Sequence, residues 1–160
     1  MFDYTLGLRS RSSLTDIDRI VSVFLEVDDL SRVHERHPGL FVSVRDSSDP
    51  HRQLVYTRFL GVPSTASLYY SINSRNKQEQ WQAERLMALS AVLVIVQTDA
   101  LAFMTFDLDS LVMRRTDGIL YLYESFNHWK DPAVISQIPK PWVMTDDEYA
   151  GTPPGGSPYG

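Results

Sequence analysis

The run NKQEQWQAERLMALSAVLVIVQ, residues 76–97, constrains the fold more than any other stretch of the chain. It opens polar, turns amphipathic, and is apolar from Leu86 to Val96 apart from Ser90. A helix that is apolar all round cannot lie on a surface, so its second half has to be enclosed by other elements. Asn76 supplies an N-cap, and Glu79 a capping-box partner that also suits the positive end of the helix dipole. Trp81, Leu86, Leu89, Leu93 and Val96 recur at roughly helical spacing, which puts Glu84 and Arg85 on the opposite, water-facing side. About 22 residues at ~1.5 Å each make a rod of roughly 33 Å. The β-branched residues of Ala91–Val96 also fit a buried strand. The periodicity upstream runs into them without a Gly or Pro break, which favours the helix. The apolar run falls short of the ~18–20 residues that a bilayer requires.

The rest of the chain supplies the enclosure. Phe2, Tyr4, Leu6 and Leu8 alternate with smaller or polar residues, the period of a strand with one buried face. Ser13 can cap an amphipathic helix over Ser13–Glu26, with Leu14, Ile17, Val21, Phe24 and Leu25 on its apolar side. The polar connector Glu26–Pro38 has room for a helical turn over Leu30–Arg36. Gly39–Asp46 alternates again. Asp49-Pro50 is read as a turn, followed by a strand over Arg52–Leu60, and Ala66–Ile72 makes a further strand, so that the three form an antiparallel meander. After the long helix come Leu101–Phe106, Leu111–Arg115 and Ile119–Glu124. Asp117-Gly118 between the last two is the strongest hairpin signal in the sequence. Asp131 and Pro132 are placed to cap and start a short helix. The expected fold is α+β: an antiparallel or mixed sheet of about six to seven strands around the long helix Asn76–Gln97 and the amphipathic helix Ser13–Glu26. The element order is β-α-β-β-β-α-β-β-β, with the helices gathered on one sheet face.

One domain over residues 1–148 suits a chain of 160 residues, and GTPPGGSPYG places 149–160 in a disordered Pro/Gly-rich tail. There are no cysteines, which removes disulfides, thiolate metal sites and cysteine nucleophiles and suits a reducing compartment. No signal peptide is evident in MFDYTLGLRSRSS. The net charge of −5 disfavours a phosphate-backbone binder and favours a basic partner.

Sites of chemistry are harder to find. His34 and His37, three apart, are two metal ligands at most, and no third lies nearby. Asp107–Ser110 lacks the Gly and the later Glu of a calcium loop and reads as a strand connection. The carboxylates Asp28–Asp29 and Asp146–Glu148 lie in polar stretches where nothing would raise a pKa. Nucleophile elbow, phosphate loop and dinucleotide fingerprint are all missing from the sequence. Strand tyrosines such as Tyr69 and Tyr121 have few basic companions, which argues against RNA binding. Neither catalysis, nor a cofactor, nor a metal is expected, and recognition by surface contact remains. Phe126, His128, Trp129 and Trp142 gather in a loop-like stretch, either as interface anchors or as a cover for the long helix.

The succession FDYTLGL, LFVSVRD, AERLMALSAVLVIVQ, AFMTFD, LVMRRTDGILYLY and FNHWKDPAVISQIPKPWVM resembles a family of bacterial immunity proteins that protect against polymorphic, contact-delivered toxins. The likeness spans most of residues 1–145 as a layout of elements, without a diagnostic motif. It implies a cytoplasmic protein that binds a cognate toxin domain and contributes no catalytic residue of its own. The expected partner-binding positions are Asp107, Asp109, Glu124, Trp129, Asp131 and Trp142. A non-catalytic adaptor, self-assembling through a free sheet edge, is the competing expectation.

Overall fold

The computed structural model describes residues 1–159. The order is β1 (Phe2–Arg9), α1 (Leu14–Leu25), a 3₁₀ turn (Leu30–Arg32), α2 (Val33–Arg36), β2 (Leu40–Asp46), α3 (Pro50–Leu60), β3 (Ala66–Ile72) and α4 (Lys77–Gln97). There follow β4 (Leu101–Phe106), β5 (Ser110–Thr116), β6 (Ile119–Tyr123), a second 3₁₀ turn (Asn127–Lys130), α5 (Pro132–Ile135) and β7 (Trp142–Thr145). The strands form a 7-stranded sheet in the order β2-β3-β1-β4-β5-β6-β7. Its pairings are antiparallel except for β6–β7, which is parallel.

The fold is α+β as expected, and the long helix is helical to Gln97. Asn76 Oδ1 accepts the Glu79 amide at 2.9 Å, so the cap forms as the sequence implies. Met87, Ala88, Ala91, Val94 and Ile95 are fully buried against α1 and the inner face of the sheet. Complete burial of a large side chain such as Met87, Val94 or Ile95 contributes about 1.5–3 kcal/mol. Ser90, the polar interruption, bonds the Tyr70 hydroxyl at 2.9 Å and donates to the Met87 carbonyl. Asp117 and Gly118 take φ of 53° and 77°, the backbone of the expected hairpin turn.

Two expectations need correction. Residues 52–60 are helix, not strand. Asp49 is an N-cap whose carboxylate accepts the His51 and Arg52 amides, Pro50 opens the first turn, and Gly61 closes the helix at φ 73°. The Asp-Pro pair read as a turn is therefore the start of α3. Second, the helices do not share one face. α3 packs on the outer face, where Tyr56, Phe59 and Leu60 meet Phe103, Leu111 and Tyr123. Gly7 allows this: a Cβ there would lie 2.3 Å from the Phe103 ring, which stacks on Phe59 at 4.5 Å. Residues 149–159, expected within the tail, run in turns packed on α3 and the sheet. Pro153 and Pro158 are buried, the Ala150 carbonyl accepts from the Tyr123 hydroxyl at 2.6 Å, and the Ser157 amide donates to the Arg58 carbonyl at 2.7 Å. The tail's turns present carbonyls to donors on the sheet, including the buried guanidinium of Arg114, which donates to the Ser157 carbonyl and to the Phe59 carbonyl of α3. In addition, the closing segment read as loop contributes β7, alongside β6.

Candidate functional site

Helices pack on both faces of the sheet, and one set of its strand ends is acidic. Asp107 and Asp109 lie in the β4–β5 turn, held where the Asp107 amide meets the Asp3 carbonyl at 2.9 Å. Glu124 follows β6, its amide bonded to the Thr145 carbonyl at 2.9 Å, so the parallel pairing of β7 brings Asp146 and Glu148 alongside. Asp109, Glu124, Asp146 and Glu148, with Tyr123 and Tyr159, line a cavity of about 390 Å³. Burial, the main influence, pushes the Tyr123 hydroxyl up to about 12, so it stays neutral beside these carboxylates. Asp107 and Leu108 both have positive φ, 53° and 56°, and Leu108 is 39% exposed. A leucine in the left-handed region is strained.

Of the six expected binding positions, Asp107, Asp109 and Glu124 meet at this end. The others do not join them. Trp129 is 0% exposed and its indole donates to the Val112 carbonyl at 2.9 Å, so it is a core anchor that no partner can reach. Trp142 pairs with Leu120 at the far end of β6 and packs on the core. Asp131 caps α5, accepting the Ala133 amide at 2.9 Å, as the sequence implied for its local role. The connector histidines are structural: His34 stacks on Phe41, and His37 Nε2 bonds the Leu25 carbonyl at 2.8 Å. Among the described residues no group of His, Asp and Glu side chains could hold a metal ion.

A second cluster lies beside the acidic end and was not legible in the sequence. Tyr4, Lys77, Gln80, Trp81, Glu84, Phe126 and His128 line a cavity of about 380 Å³ that shares Ser125 with the acidic one. Glu84 was expected in water, yet its side chain is only 14% exposed. The turn after β6 folds back over the first half of α4 and covers it. Burial opposes charge on Glu84, but His128 at 3.8 Å and the Tyr4 hydroxyl at 2.9 Å outweigh it and hold the carboxyl below the ordinary range. Tyr4 is pushed the other way, by burial first and then by the Glu84 charge. Trp81 stacks on His128 at 3.8 Å. The signal available beforehand was weak: Tyr4 looked like one more core position, and it and His128 reach Trp81 and Glu84 of α4 from distant elements.

The fold and its surface thus come to a two-faced α+β sheet with an acidic rim and a ring-lined hollow beside it. The SitI3-like family model matches residues 2–133, and the chain belongs to that family. SitI names denote immunity proteins of contact-dependent toxin systems, a family that is generally non-catalytic. No curated protein and no solved structure matches the chain. The matched residues include Tyr4, Trp81, Glu84, Asp107, Asp109, Glu124 and His128. Among the described residues no helix is long and apolar enough to cross a membrane.

Proposed function

We propose that this chain is an immunity protein that binds its cognate toxin domain in the cytoplasm and neutralises it by occlusion. The observation that carries the reading is the gathering of Asp109, Glu124, Asp146 and Glu148 around one cavity, with Asp107 in the adjoining turn, on a chain of net charge −5. A basic toxin surface would be steered to that end, and a standard interface of about 1,600 Å² would cover both cavities. Family membership supports the immunity role, and the acidic rim supports the site.

The test is association with a toxin domain, sought first among the genes beside this chain's own. Asp109→Lys and Glu124→Lys together should slow association about tenfold or more at low salt, with a smaller effect at high salt. Host cells carrying the double variant should lose protection. Unchanged association rates and full protection would remove the acidic end from the interface. The competing adaptor reading draws on the open edge of β2, where Phe41 is 41% exposed. Sedimentation of the free protein as a monomer, with a stoichiometric toxin complex, would set that reading aside.

A further inference from the structure

We infer that the hollow between α4 and residues 125–128 is a socket for one arginine side chain of the toxin domain, an inference that rests on the immunity reading above. Its walls are aromatic, with Tyr4, Phe126 and His128 lining it and Trp81, 40% exposed, at its mouth. Such ring faces attract a cation. Glu84 lies among them as the single carboxylate of the lining. One of its oxygens accepts the Tyr4 hydroxyl, and the other has His128 at 3.8 Å, beyond hydrogen-bond length.

His128 is the decisive group. It is 2% exposed, it lines the hollow, and neither ring nitrogen has a hydrogen-bond partner among the described residues. Buried polar atoms are ordinarily paired, so an orphaned imidazole in a cavity wall points to a guest. Glu84 Oε1, which no donor reaches at hydrogen-bond distance, is left as the acceptor in this wall. The guest must then donate hydrogen bonds, carry positive charge, and be flat enough to lie against Trp81 and Phe126. A guanidinium meets all three requirements, whereas an ammonium is not planar. Lys77, the one lysine of the lining, is exposed on a flexible stem and can turn its charge to water. Because Ser125 borders both cavities, an arginine seated here would bring its basic neighbours onto Asp109 and Glu124.

The test titrates the isotopically labelled full chain with Nα-acetyl-arginine amide and follows the His128 ring and Trp81 indole resonances by NMR. Saturable shifts are expected, absent with the citrulline analogue, which keeps the shape without the charge. Glu84→Gln should weaken binding at least about tenfold, the factor for a lost charged hydrogen bond. Trp81→Ala, which removes the ring at the mouth of the hollow, should do likewise. Shifts that fail to saturate, or an equal response to citrulline, would overturn the socket. Toxin capture by Trp81→Ala and Glu84→Gln at the parent's Kd would overturn the socket and leave the immunity reading standing. Arginine-amide binding by a chain that captures no toxin domain would overturn the immunity reading alone.

Discussion

At the scale of single residues, the two hairpin turns of the C-terminal half make an internal comparison. Asp117-Gly118 places glycine where the backbone is left-handed, whereas Asp107-Leu108 places an exposed leucine there. A non-glycine residue in that region costs about 1–2 kcal/mol. Leu108→Gly is therefore expected to stabilise the fold by roughly 1 kcal/mol, read from urea unfolding, and to weaken toxin association if the leucine tip is a contact. Strain kept at a surface turn beside Asp107 and Asp109 fits a functional position. Tyr4 and Tyr70 give a pH signature. Burial raises both hydroxyls, further helped by Glu84 at Tyr4 and only slightly offset by Ser90 at Tyr70. A raised folded-state pKa contributes stability in full below the unfolded value, about 10, and loses it as pH climbs toward the folded value. Stability should thus fall from about pH 10 upward, and Tyr70→Phe should flatten that decline in pH-dependent denaturant titrations. Local chemistry of this kind was partly readable: Asn76, Asp131 and Asp117-Gly118 act through neighbours in sequence, and each does what its type implies. Glu84 was misplaced because the residues that bury it, Tyr4 and His128, arrive from the first strand and from the turn after β6.

At the scale of elements, α3 shows how a sequence can mislead. QLVYTRFL is rich in β-branched and aromatic residues, and its apolar positions can be fitted to either period. The flanks decide it, with Asp49 capping, Pro50 at the first turn and Gly61 at the end. Asp49→Ala should cost about 1 kcal/mol, the usual value of a lost cap, measurable as a lowered Tm. The seat of this helix is equally specific. Gly7→Ala would drive a methyl into the Phe103 ring and disturb its stack on Phe59, an overpacking expected to cost about 1–3 kcal/mol in urea unfolding. By contrast α1 and α4 were legible, because amphipathic spacing in one and unbroken apolarity in the other each admit one packing partner, the inner face of the sheet. β7 and the tail were not, since a Pro- and Gly-rich segment offers no periodicity and gains its order from carbonyls placed against Tyr123, Thr116 and Arg114.

For the whole molecule, charge is the property that acts at a distance. With carboxylates gathered at one end of the sheet, the rate of toxin capture should fall steeply as salt rises from low to physiological strength, where the screening length is about 8 Å. Stopped-flow association at several ionic strengths would measure the slope, and Asp109→Lys with Glu124→Lys should flatten it. α1 and α4 pack on one side of the sheet and α3 and the tail on the other, while Phe41 at 41% and Val143 at 45% stay exposed on the edge strands β2 and β7. The acidic turns lie at the strand ends, outside this packing. With the core held by these layers, the loops at the acidic end can change without repacking it. Transplanting residues 107–109, 124–128 and 145–149 between two members should move the choice of toxin with them and leave the melting behaviour of the recipient almost untouched.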